Sequence, residues 1–138
     1  GEATDYTEHD GYDDSKRETQ CGGINYCIKT LREKNPTCKI YLFTSLKFFG
    51  INYNETYGYE VMPINTNHTG YSFYEYIQKQ KACATLQHIP YLEQWRIQEG
   101  RITPRNYHIY YKDDGYHMTE AGYFDIGIHQ LLFLAKQP

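Results

Sequence analysis

The sequence predicts an α/β protein, and three observations carry that reading. Two helical segments alternate with two short, nearly continuous apolar runs, and a third helical segment closes the chain. Each apolar run directly follows a helix, as a buried parallel strand does. The resulting order, helix, strand, helix, strand, helix, is the rhythm of a doubly wound sheet.

The elements follow in chain order. Residues Gly1 to Thr19 are acidic, turn-forming and poor in apolar side chains, so they read as a polar N-terminal loop without a signal peptide. Ile24, Cys27, Ile28 and Leu31 then recur at helical spacing and predict a helix over 22–34. Its last turn is basic, and Asn35-Pro36 ends it. The run from Lys39 to Thr44 predicts the first strand. From Ser45 to Gly70, Gly, Asn and Pro are scattered and no period emerges, which predicts a long loop, of a kind that in compact domains is usually functional or mobile. Phe73, Ile77 and Ala84 share a face of a second helix over 71–87, and His88 to Leu92 predicts the second strand. The last helix begins at Thr119, an N-cap residue type, and carries Ile126, Ile128, Leu131, Leu132 and Leu134. Two short parallel strands leave apolar faces and open edges. Either further strands come from a preceding segment or the count of two strands is too low, and the expectation is one partial domain over 1–138.

Composition narrows the function. The chain has 138 residues, enough for one domain. A net charge of −3 without a basic stripe argues against nucleic acid as the main partner. No apolar run approaches the ~18 residues of a membrane span. The 16 tyrosines fit either a wet surface that grips sugars or a core in which Tyr replaces Phe. Cys21, Cys27, Cys38 and Cys83 form no C-x-x-C pair and read as buried free thiols, and no metal site is expected. Asn54-Glu55-Thr56 and Asn67-His68-Thr69 are glycosylation sequons. They matter only in a eukaryotic secretory protein or a virus of one; the sequence leaves the compartment open, with an extracellular or virion-associated setting slightly favoured.

The chemistry concentrates near the C-terminus. Asp114 and His117 stand three residues apart, just before the last helix. One turn of chain can bring the carboxylate to imidazole Nδ1, where it sets the tautomer and stabilises the imidazolium. Gly115 permits the tight turn, and Gly122 permits close packing of the helix that follows. Alone, a D-x-x-H spacing is weak, because surface histidines near helix starts are common.

The longer string Asp114-Gly115-Tyr116-His117-Met118-Thr119-Glu120-Ala121-Gly122-Tyr123 resembles the last block of the SGNH (GDSL-type) hydrolases: Asp-Gly-x-His, then Ala-Gly, then an apolar helix. Upstream, Asn35-Pro36-Thr37-Cys38-Lys39-Ile40 resembles the family's Asn-Pro-x-x-Lys-Ile entry to a strand. Residues 74–91 resemble its next helix and strand, with Glu93 near an acidic position. The resemblance covers about residues 20 to 135 in the family's order. It implies the C-terminal part of a flavodoxin-like, three-layer SGNH sheet whose first strands are absent from this chain.

The resemblance also implies the roles. His117 would be the general base and Asp114 its orienting partner. Thr4 and Asp5 fall at the family's third block, Thr4 where an Asn donates to the oxyanion. Tyr116 and Tyr53 are candidate substrate contacts. No Gly-Asp-Ser block is present, and Ser15, Ser45 and Ser72 lack a glycine-flanked elbow. The implied activity is a cofactor-free serine esterase or O-deacylase, O-acetyl esters included, acting on a carbohydrate or lipid ester. The Ser and the missing strands would come from a preceding segment or a second chain. The alternative is a degenerate SGNH-like module that binds glycans in a viral, phage or adhesin assembly. Trp95 is expected to pack beside the second strand or to stack on sugar. His108 and His129 read as surface or helix-face residues, His68 and His88 carry no evident partner, and Asp113 reads as a solvated neighbour of the dyad.

Overall fold

The structure, a computed structural model, describes residues 20–47, 49–54, 58–63, 73–115 and 117–138. In chain order its elements are α1 (Gln20–Lys34), β1 (Leu42–Phe43), β2 (Phe49–Asn54), β3 (Gly58–Pro63), α2 (Phe73–Leu86), β4 (Tyr91–Leu92), α3 (Gln94–Gln98), α4 (Tyr107–Tyr110) and α5 (Glu120–Ala135). This is an α/β arrangement, helix-rich, in which β1 pairs with β4 in parallel and β2 pairs with β3 antiparallel. The described residues divide into two compact units, 20–44 with 73–91, and 45–63 with 92–138.

In the first unit α1 and α2 pack through Ile28, Ala84 and Ile89, with Ile24, Ile40, Leu42 and Tyr91 around them. The buried residues of α1 are Cys21, Gly22, Asn25 and Ile28, a stripe rotated from the apolar one read in the sequence. Leu31 and Cys27 are exposed as a result, which corrects the expectation of a buried Cys27. Cys21 and Cys83 are buried, Cys38 is half-buried, and none of the four is in a disulfide. The polar Asn25 is half satisfied: its Oδ1 accepts a hydrogen bond from Gln87 Nε2 at 3.3 Å, while its buried Nδ2 has no hydrogen-bond partner among the described residues.

Both predicted strands are shorter than expected, two residues each. The cause is visible before β4. His88 adopts φ 56° as α2 ends, and Ile89 N–H still donates to Ala84 O at 2.8 Å. Pro90 has no N–H to give to a ladder. Its carbonyl accepts from Leu42 N–H at 3.1 Å, and pairing begins there.

In the second unit the stretch expected to be an unstructured loop contains the β2–β3 hairpin, in register from Phe49↔Pro63 to Asn54↔Gly58. Phe49, Ile51, Tyr53, Tyr59 and Val61 do alternate with smaller or polar residues, but Gly50, Asn52 and Asn54 mask the period in the sequence. The five-residue α3 and four-residue α4 are too short to show a period at all. The core of this unit is Ile102, Tyr111, Met118 and Ile126, with Leu46, Tyr107 and Tyr110 packed against it.

Helix α5 is positioned by its first turn. Thr119 caps it, accepting from Gly122 N–H at 3.2 Å, while the Thr119 hydroxyl donates to Ile109 O at 2.6 Å. Gly122 presses against the preceding chain, where an added Cβ would stand 2.0 Å from Tyr110 O. Beyond this turn the helix departs from expectation. Ile126 is buried, but Ile128, Leu131, Leu132 and Leu134 are exposed, as are Tyr123 and Phe124. At 100° per residue these exposed side chains share one half of the helix. Residues Gly122, Ile126, His129 and Phe133 occupy the other half, turned inward.

Two substitutions test this anchoring. Gly122→Ala should lower stability by at least ~3 kcal/mol, because the clashing atom is backbone and cannot rotate away. Thr119→Ala should cost about 1 kcal/mol through loss of the cap. Denaturant midpoints of the two variants give the comparison, and equal midpoints would contradict it.

Candidate functional site

Asp114 and His117 lie in a short loop whose two ends are held together. Tyr111 and Met118 form an antiparallel bridge, Lys112 N–H donates to His117 O at 2.8 Å, and Thr119 N–H donates to Tyr110 O at 2.9 Å. Within the loop, Gly115 N–H donates to Lys112 O at 2.9 Å. Gly115 has φ 67°, the left-handed region in which a side chain is disfavoured.

This turn brings the two side chains into contact. Asp114 Oδ2 stands 2.6 Å from His117 Nδ1, and Asp114 Oδ1 accepts the His117 backbone N–H at 2.9 Å. One carboxylate therefore holds both the ring and the backbone of the same residue. An ionised carboxylate only accepts, so Nδ1 carries the proton and Nε2 is the basic nitrogen. Both side chains are largely exposed, 49% and 69%, so the pair adds little to stability. Its effect is orientation and tautomer, which is what a general base needs.

The base of the loop is better buried than its tip. The Tyr111 hydroxyl donates to Lys47 O and lies 3.2 Å from Gln98 Oε1, and Gln98 Oε1 also accepts Lys47 N–H at 2.8 Å. Gln98 is fully buried, and its Nε2 has no hydrogen-bond partner among the described residues. Burial pushes the Tyr111 phenol up to about 12, against a smaller lowering by the bond to Gln98.

Other candidates are distributed elsewhere. Thr4, Asp5, Tyr116, Ser15, Ser72, His68 and Asn67 lie outside the described residues. Tyr53 lies on β2, paired in register with Tyr59, and Asn54 pairs with Gly58. Ser45 is half-buried in the segment after β1. Trp95 is 7% exposed, with Lys47 Nζ 6.0 Å from its ring centroid, so it packs and offers no open stacking face. His108 is exposed on α4 and edge-on to Tyr107, and His88 is exposed in the turn after α2. Asp113 is exposed, and Glu93 precedes α3.

His129 has a partnership that the sequence did not suggest. Its Nδ1 lies 2.8 Å from Asp125 O, and its Nε2 lies 3.4 Å from Arg101 NH1. Arg101 also pairs with Asp125 at 2.6 Å, which raises the guanidinium pKa chiefly through that hydrogen bond. Among the described residues no three His, Cys, Asp or Glu side chains gather as a metal site, and no helix is long and apolar enough to cross a membrane.

Comparison with solved structures adds a fold and then a particular neighbour. One crystal structure shares the fold with TM-score 0.65 and 23% identity, over 83% of this chain and 50% of the other. The esterase domain of the ZfL2-1 ORF1 protein from the zebrafish ZfL2-1 retrotransposon is similar with TM-score 0.48 and 17% identity, over 85% of this chain and 59% of that one. This chain thus spans between half and three-fifths of the chains it resembles. No family model and no curated protein matches the sequence.

The buried phenol predicts an alkaline limit. The Tyr111 pKa is raised in the folded state, so its contribution is fully present below pH ~10 and is lost as pH rises toward about 12. Stability of the wild type should fall across that window, and Tyr111→Phe should flatten the fall. Urea titrations at stepped pH measure it, and parallel curves for the two proteins would refute the assignment.

Proposed function

We propose that this chain supplies the Asp/His half of a serine-esterase site of SGNH type. The observation that carries the reading is the two-point grip of Asp114 on His117, through Nδ1 at 2.6 Å and the backbone N–H at 2.9 Å. A solvated surface pair would need only the first contact. The second fixes the backbone from which the ring projects.

The reaction that suits this grip is acyl transfer. A serine hydroxyl attacks the ester carbonyl as His117 Nε2 takes its proton, forming a tetrahedral oxyanion. The imidazolium, stabilised by Asp114, returns that proton to the leaving alcohol and an acyl-enzyme remains. Water then attacks the acyl group, again giving its proton to Nε2, and the acid departs as the serine recovers its hydrogen. On this reading the Thr4 hydroxyl donates to the oxyanion with Asp5 beside it. A single such donor contributes on the order of 3 kcal/mol to the transition state. Tyr116 and Tyr53 are proposed to line the substrate side, and the substrate is an acyl ester of a carbohydrate or lipid.

The serine is proposed to come from a preceding segment or a second chain, together with the strands that complete the sheet. Two findings support this. The exposed half of α5 is apolar, a surface that costs free energy in water. The fold it shares with a solved structure takes up only 50% of that structure's chain.

A fluorophosphonate probe tests the nucleophile on the intact polypeptide that carries this chain. Labelling is expected at one serine, and its failure on folded protein would favour the glycan-binding alternative. His117→Ala should lower kcat for p-nitrophenyl acetate by ~1000-fold or more. Turnover equal to wild type would overturn the role given to His117.

A further inference from the structure

We infer that Tyr111 is a positioning residue for the Asp114–His117 pair, acting through its hydroxyl on Lys47 and Gln98. This deepens the esterase reading and rests on it for its catalytic consequence. The tip of the loop stands in water and its base is buried. Lys112, Asp113, Asp114 and His117 are all exposed, so packing cannot fix the tip. Gly115, Tyr111 and Met118 are buried, and the last two close the loop as a bridged pair. A catalytic pair must be held within about 0.5 Å, which requires supports that are themselves locked.

Tyr111 reaches beyond the loop by a polar bond. Its ring sits in the core with Ile102, Met118 and Ile126, a place that Phe would fill equally well. The added hydroxyl has a different use. It donates to Lys47 O, while Gln98 Oε1 accepts Lys47 N–H at 2.8 Å. Both backbone polar groups of Lys47 are therefore held by side chains, one from the base of the dyad loop and one from the end of α3. The Tyr111 oxygen also lies 3.2 Å from Gln98 Oε1, so the three residues form a closed cluster. Gln98 is retained there although its Nε2 is left unpartnered in full burial. A methionine would avoid that cost but could not accept the Lys47 N–H. The burial that keeps the phenol protonated keeps it a donor at every pH where an esterase works.

The experiment compares Tyr111→Phe and Gln98→Met with wild type and with Arg101→Gln, in the intact, 15N-labelled polypeptide. Arg101→Gln breaks the pair with Asp125 without touching the loop. Tyr111→Phe is expected to speed amide exchange at Gly115 and His117 by tenfold or more, with α5 amides within twofold of wild type. The His117 Nδ1–H resonance should broaden, and kcat should fall about tenfold with KM within twofold. Gln98→Met should change the same readouts in the same direction, and it decides the matter if Tyr111→Phe fails to fold. Unchanged exchange and resonance at His117 in the folded variants would overturn the inference. So would an equal rise across α5, which signals general loosening, or the same loop changes in Arg101→Gln. An altered loop in a protein whose His117→Ala variant keeps full activity would leave the anchoring correct and the esterase reading wrong.

Discussion

In the second unit the carbonyl of Tyr110 packs directly against the first turn of α5, and the candidate site depends on that contact. Tyr110 O accepts Thr119 N–H at 2.9 Å, and Gly122 leaves space for that carbonyl where any side chain would collide with it. Thr119 joins the two sides, donating its hydroxyl proton to Ile109 O and accepting from Gly122 N–H. The chain thus leaves α4 and enters α5 at nearly the same point. What lies between is forced into a loop, and that loop carries Asp114 and His117.

The loop divides the work between local and distant contacts. Asp114 and His117 are matched by a single turn, with Gly115 in the left-handed region letting the chain reverse. The base of the loop is held from outside, by the bond between Tyr111 and Lys47 and by the core around Ile102 and Ile126. The pair is thus exposed on a buried base. That exposure explains why the pair itself contributes little stability: its carboxylate and imidazole remain in water.

Helix α5 shows where a sequence pattern and a structure part company. Its apolar residues are real and helical in spacing, but most of them are exposed, and the inward half carries Gly122, His129 and Gln130 beside Ile126. Periodicity reports that a face is apolar and says nothing about what covers it. The same limit explains α1, where small and polar residues at Cys21, Gly22 and Asn25 take the interface and Leu31 is left outside. Close helix packing favours small side chains there, whereas a hydropathy pattern favours large ones.

The sequence by itself determined the features whose causes lie within a turn or two of chain. These are α1, α2 and α5, the end of α1 at Asn35-Pro36, the cap at Thr119, the need for glycine at position 122 and the pairing of Asp114 with His117. Tertiary structure alone decided the β2–β3 register, the short reach of β1 and β4, the exposure of Cys27 and the outer half of α5, and the anchoring of Tyr111. Tyr111 meets its partners 13 and 64 residues away. Contacts at such separations leave no local period or spacing in the chain. They exist only because burial makes an unpaired hydroxyl or carbonyl costly, and folding brings the one that satisfies the other.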